Sequence, residues 1–216
     1  MIFNTPNINS EAVSEHVFAL LLAFEKNIIQ EDKFIRENNW NRLIGNEIFN
    51  KTILVMGLGS VGKHVCSRAN AFGMNIFGYD LHNDKKFNKK NNVHFVNDFR
   101  EIIEKVDYIS LNIPLTSETK HIINRSVLNK CNDNVVIVNT ARGELVNEKE
   151  IVEFLKANKI RAYLTDVLKT EPMIKNHPLL SCKNVIITPH IGSRNFQTVE
   201  RQALKAIENL INYINK

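Results

Sequence analysis

A chain of 216 residues, 44% hydrophobic and 24% charged, can bury one large α/β core, which excludes a disordered segment. Its net charge of +5 is dispersed, and the densest basic run, Lys85-Lys86-Phe87-Asn88-Lys89-Lys90, reads as a solvated loop, so no nucleic-acid partner is expected. Cys66, Cys131 and Cys182 show neither a CxxC pair nor zinc-type spacing, so neither a metal site nor a disulfide framework is expected.

Met1 to Asn4 show no secretory signal pattern, and the most apolar stretch, from Val17 to Phe24, is too short to span a bilayer. A cytoplasmic protein with no membrane partner is expected, its thiols buried or half-buried. Ser10 reads as an N-cap with Glu11 in the first turn, and Val13, Val17, Leu20, Leu21 and Phe24 follow at helical spacing. That apolar face serves equally well for core packing or for a partner. Asn-rich sequence over 38–46 then forms a connection.

From Thr52 onward, short β-branched runs alternate with helical patterns. Strands are expected over 52–56, 75–79, 93–96, 108–111, 135–138, 162–165 and 185–188, with helices over 63–72, 98–105, 148–158 and 197–214. Strands apolar on both faces, alternating with helices, imply a mostly parallel sheet covered on both sides. The fold expected is therefore a doubly wound α/β (Rossmann) domain over 1–216. Within it, 1–50 is a leading helix and arm and 195–216 a C-terminal helix.

The first strand runs into Gly57-Leu58-Gly59-Ser60-Val61-Gly62. Gly57 suits a tight turn, Gly59 lets backbone approach a pyrophosphate, and Gly62 lets helix and strand pack closely. The phosphates would then lie at the positive end of the helix entered through Ser60 and Val61. The second strand ends at Asp80, where a carboxylate accepts from ribose hydroxyls and repels a 2′-phosphate. NAD is the cofactor expected, with Lys85 and Lys86 close enough to leave NADP open. Without a ligand, the same residues would be a Gly-rich turn and a surface Asp.

Three ionisable residues follow later strands: Arg142 after 135–139, Glu171 after the strand ending near Asp166, and His190 after 185–188. Taken singly, Arg142 could be a surface charge, Glu171-Pro172 a turn, and His190 a ring that satisfies a backbone carbonyl. Together on one rim they match what hydride exchange with a 2-hydroxy acid requires. Arg142 has the planar fork that holds a carboxylate, and His190 can exchange a proton with the hydroxyl. A carboxylate such as Glu171 orients a histidine and favours its protonated form.

At these motifs the sequence resembles the D-isomer-specific 2-hydroxyacid dehydrogenases. The match runs through Asn4-Thr5-Pro6, Ala12-Val13-Ser14-Glu15-His16, the glycine loop, Pro114-Leu115-Thr116-Ser117-Glu118-Thr119, Asn139-Thr140-Ala141-Arg142-Gly143, Asp166-Val167, Glu171-Pro172 and Thr188-Pro189-His190-Ile191. The resemblance implies that Arg142 binds the substrate carboxylate and carbonyl, His190 is the acid/base and Glu171 orients it. It also implies that Asp166 contacts the nicotinamide carboxamide, that Thr140, Ala141 and Arg142 line that pocket beside His190, and that Pro114 and Leu115 line the cofactor cleft. The implied substrate is a small 2-hydroxy or 2-keto acid, and the leading helix and arm imply a homodimer. Asn112 stands where many relatives carry His. Relatives also begin with a separate substrate lobe, which is expected to lie outside these 216 residues. A non-catalytic NAD-binding module and a truncated, inactive fragment are the alternatives.

Overall fold

The structure is a computed structural model that describes residues 4–214, so positions 1–3 and 215–216 of the two terminal segments lie outside the described residues. Seven strands, β1 (Thr52–Met56), β2 (Asn75–Tyr79), β3 (Val93–Val96), β4 (Tyr108–Leu111), β5 (Val136–Asn139), β6 (Ala162–Thr165) and β7 (Val185–Ile187), form one sheet. Their order is β3-β2-β1-β4-β5-β6-β7 and every pairing is parallel. The expected doubly wound architecture is the one observed, with its topological switch between β1 and β4.

Alternation along each strand divides the core in two. Leu54, Met56, Ile109, Leu111, Ile137 and Tyr163 face a layer containing Phe99, Ile103, Val127, Ile151 and Leu155. Ile53, Val55, Tyr108, Val136, Val138 and Leu164 face the other side, against Val17, Leu20, Leu21, Val65 and Ala69. The first layer comes from α5 (Arg125–Leu128), α6 (Glu148–Lys156) and tight 3-10 turns; the second from α1 (Ser10–Glu25) and α3 (Ser60–Ala71). Because Val17, Leu20 and Leu21 lie within the core, the apolar face of α1 packs inside the chain rather than on a partner.

Helix α1 is also clamped at the amino end of the sheet. Buried Glu25 accepts from the Tyr108 hydroxyl at 2.9 Å and from Arg161 Nη1 at 2.9 Å, and the two charged groups form a bidentate pair. Removing one member of such a pair strands the other charge in the interior, so the clamp fixes where α1 lies.

Several elements differ from the expectation. Residues 98–105 form two 3-10 turns, Phe99–Glu101 and Ile103–Lys105, rather than a helix. Asp98 explains the start, since its side chain accepts from Arg100 N at 2.9 Å and offers the backbone a local alternative to the helix ladder. Ser10 is the first residue of α1 and not its cap: its hydroxyl donates to Asn7 O at 2.8 Å, and Asn9 holds the cap position. The basic run is a short helix, α4 (Lys85–Lys90), capped by Asp84, which accepts from Phe87 N at 3.0 Å. A further helix, α2 (Ile28–Arg36), precedes the Asn-rich arm and buries none of its residues. The C-terminal helix α7 (Phe196–Ile214) presents Leu204, Ile207 and Leu210 to solvent. Among the described residues no helix is long and apolar enough to cross a membrane, and the three cysteines are free. Burial pushes the thiols of Cys66 and Cys131 up to about 12.

Candidate active site

Register assembles the site. Tyr79, Met56, Leu111, Asn139, Thr165 and Ile187 are successive neighbours across the sheet. The residues that follow them, Asp80, Gly57, Asn112, Thr140, Asp166 and Thr188, therefore begin the loops of one carboxyl rim. In open α/β sheets that rim is where ligands bind.

On the β2–β1 side the glycines do what their positions suggest. Gly57 has φ +94°, and a Cβ there would lie 2.6 Å from Asn112 O. A Cβ on Gly62 would lie 1.8 Å from Gly57 O, so only glycine lets α3 sit against the loop. A Cβ on Gly59 would meet nothing within 4 Å; its absence opens the surface without being required for packing. Gly59 also stands at the cap position of α3 with no side chain to cap it, which leaves the N–H groups around Ser60 and Val61 available to an anion. Asp80 Oδ2 accepts from Leu58 N at 2.6 Å and Oδ1 from His82 N at 2.9 Å, which fixes the carboxylate beside the loop.

A cleft of about 620 Å³ lies here, lined by Gly57, Gly59, Tyr79, Asp80, Ile113 and Pro114. A second, of about 610 Å³, continues past the switch point along Val61, Asn112, Pro114, Thr140, Ala141 and Arg142. Two buried oxygens beside it, Asn112 Oδ1 and Thr140 Oγ1, lack a hydrogen-bond partner. An open anion-binding helix start, a carboxylate one strand away and unsatisfied polar atoms beyond the switch suit a dinucleotide.

On the β5–β7 side, strand-end side chains shape the loops. Buried Asn139 accepts from Ala141 N at 3.1 Å and donates to Arg142 O at 2.9 Å, folding the loop that carries Arg142. Arg142 itself is exposed, its Nη1 2.5 Å from Ala141 O. A Cβ on the next residue, Gly143, would lie 2.1 Å from Leu168 C, so glycine lets the Glu171 loop close against the Arg142 loop. That loop is pinned in turn: Glu171 Oε1 accepts from Leu168 N at 2.9 Å, and Glu148 Oε1 accepts from Lys169 N at 2.8 Å.

His190 Nδ1 lies 2.7 Å from Glu171 Oε2. Partial burial works against the charge on Glu171, but the contacts with His190 and Leu168 N–H outweigh it and hold the carboxyl below the usual range. An ionised Glu171 accepts only, so Nδ1 is the donor and Nε2 is left to face the cleft. His190, Glu171 and Asp166 border a third cavity of about 640 Å³ whose walls include Leu168 and Pro189.

Asp166 is 2% exposed, and its oxygens face inward to the turn 188–192: Oδ1 accepts from Thr188 Oγ1 at 2.6 Å and from Ile191 N at 2.9 Å, Oδ2 from Gly192 N at 2.8 Å. Burial opposes its ionisation, yet these hydrogen bonds and one from His16 hold its pKa at about 2. Of the residues singled out from sequence, Glu171, His190 and Asp166 thus form one cluster, and Arg142 stands on the neighbouring loop. Asn139, Gly143 and Thr188 lie inside recognisable motifs, yet their positioning contacts had no sequence signal of their own.

The family described as D-isomer specific 2-hydroxyacid dehydrogenase, NAD binding domain, matches residues 18–192. The chain belongs to that family. It is 38% identical to the D-3-phosphoglycerate dehydrogenase of Methanocaldococcus jannaschii over 229 aligned positions, which cover all of this chain and 44% of that protein. It is 33% identical to the glyoxylate reductase of Korarchaeum cryptofilum, covering 97% of this chain and 65% of that one. The crystal structure of D-lactate dehydrogenase from Aquifex aeolicus, complexed with NAD and lactic acid, superposes with a TM-score of 0.88 at 28% identity, over 98% of this chain and 68% of that one. This NAD-binding domain therefore spans between under half and about two-thirds of the length of these relatives.

Proposed function

We propose that this domain carries the cofactor site and the acid–base machinery of an NAD-dependent oxidoreductase that interconverts a small 2-hydroxy acid and its 2-keto acid. The observation that carries this reading is the Glu171–His190 pair at 2.7 Å, on the same rim as the glycine loop and Arg142. In the reducing direction, Arg142 holds the substrate carboxylate in a bidentate grip and steadies the carbonyl. His190 gives the proton on Nε2 to the keto oxygen, and Glu171, through Nδ1, keeps the ring aimed. In the oxidising direction His190 takes the hydroxyl proton back. The nicotinamide, when bound, supplies or accepts the hydride.

Gly57, Gly59, Ser60, Val61 and Gly62 would hold the pyrophosphate and Asp80 the adenosine ribose, with Pro114, Thr140 and Ala141 along the nicotinamide half. A homodimer through the leading segment is supported at its arm, where Trp40 and Ile44 are 82% and 96% exposed. A cytoplasmic location is supported by three free thiols, two of them held in the protonated form.

The test is NADH oxidation by the purified chain with hydroxypyruvate, glyoxylate, pyruvate and 2-oxoglutarate, with His190→Ala in parallel. Turnover that the variant abolishes supports the assignment. Turnover that survives His190→Ala removes His190 as the acid, and absence of turnover with every acid means that these residues do not suffice for the reaction.

A further inference from the structure

His16 belongs to none of the groups assigned so far, yet its side chain is only 15% exposed and ends at the catalytic rim. Its Nε2 lies 2.9 Å from Thr188 Oγ1 and 3.3 Å from Asp166 Oδ1. The Thr188 hydroxyl directs its proton to Asp166 Oδ1 at 2.6 Å, so toward His16 it can only accept, and Nε2 must be the donor. The chain of donation runs from His16 on α1 to Thr188 after β7, and then to Asp166 after β6.

That chain matters because of what Asp166 holds. Its carboxylate receives the N–H groups of Ile191 and Gly192, and its backbone oxygen receives His190 N at 2.9 Å. Between these anchors His190 has φ +54°, in the left-handed region. For a residue with a Cβ this conformation is disfavoured and persists only where the surroundings over-determine it. Gly192 completes the packing: a Cβ there would stand 3.0 Å from Asp166 Oδ2 and 3.5 Å from His16 Cδ2.

We propose that His16 is a positioning residue for His190, holding Thr188 and Asp166 from α1 and thereby fixing the turn 188–192 that aims the catalytic ring at Glu171. The proposal rests on the acid–base role given to His190 above. It makes α1, clamped at its far end by Glu25, the external support of the catalytic turn.

Amide hydrogen exchange on the whole chain tests it, because it reads the Ile191 and Gly192 N–H groups directly and needs no turnover. In His16→Ala, exchange at these two amides is expected to rise about tenfold or more while the sheet amides of Ile137 and Leu164 keep their rates. Thr188→Val should reproduce the effect, and His16→Gln, whose amide can donate in place of Nε2, should restore most of the protection. Where the wild type turns over, His16→Ala should lower kcat by about tenfold with little change in the KM for the keto acid, the mark of lost orientation. Wild-type exchange at Ile191 and Gly192 in His16→Ala overturns the proposal. So does an equal rise at Ile137 and Leu164, which marks a merely structural role, or an unchanged kcat in an active enzyme. A wild type without turnover counts instead against the acid–base reading, and the exchange result still decides whether His16 holds the turn.

Discussion

The two sides of the carboxyl rim are built differently. On the β2–β1 side the cleft is made by backbone: two glycines that admit no Cβ, an uncapped helix start, and a carboxylate tied to loop N–H groups. On the β5–β7 side it is made by side chains that reach into solvent, with His190 48% and Glu171 37% exposed and Arg142 against its own backbone. The glycine loop, helix start and carboxylate of the first side all come from the stretch between Gly57 and Asp80, with Ile113 and Pro114 closing the cleft. The second presents groups whose orientation depends on buried partners beneath them, Asn139 and Asp166, and whose upper surface is open. Cofactor binding should therefore be self-sufficient and robust, and chemistry should depend on positioning and on exclusion of water from that open surface.

Substitutions can separate the two sides. The largest effect is expected from His190→Ala, which should lower turnover by about 10²–10⁴, the usual worth of a general acid, while NADH still binds, as read by steady-state rates beside NADH fluorescence titration. Gly143→Ala should cost about a hundredfold in kcat, because its Cβ would displace the Leu168 backbone and the Glu171 loop with it, again with NADH affinity retained. Loss of NADH binding in either variant would mean that the two sides are not independent.

Asp166→Asn should show a pH signature in urea unfolding. The folded carboxyl has a pKa of about 2 against an ordinary 3.8. A depressed carboxylate stabilises the fold above its unfolded pKa and loses that contribution as pH falls through the folded one. The wild type should thus gain about 2 kcal/mol over neutral behaviour at pH 7, and its lead over Asp166→Asn should close between about pH 4 and pH 2. A gap that does not vary with pH would mean that the carboxylate charge does not hold the turn.

The same contrast decides what could be read from the chain alone. The strands were legible as short apolar runs, the four central ones, β1, β4, β5 and β6, buried on both faces, and the glycine loop and Asp80 because their contacts are local. Arg142, Glu171 and His190 could be placed at strand ends, and parallel register did the rest. Helix α2 was not visible: its apolar residues, Ile28, Ile29, Phe34 and Ile35, stand at its two ends around a polar middle, it starts from Asn27 in a left-handed conformation, and it buries none of them. Residues 98–105 have helical spacing, but Asp98 diverts the backbone. The contact of His16 with Thr188 joins residues 172 apart, a distance over which periodicity and propensity carry no information.

The most direct test of a self-sufficient cofactor side is a fluorescence titration of NADH into the wild-type chain and Gly59→Ala, with a thermal melt of each. A Cβ at Gly59 meets nothing in the fold but stands where backbone must approach the pyrophosphate. The wild type is expected to bind NADH, and Gly59→Ala to bind about tenfold more weakly with its melting temperature near wild type. A wild type that does not bind, or a variant that binds equally well, would contradict the assignment of this rim as the dinucleotide site.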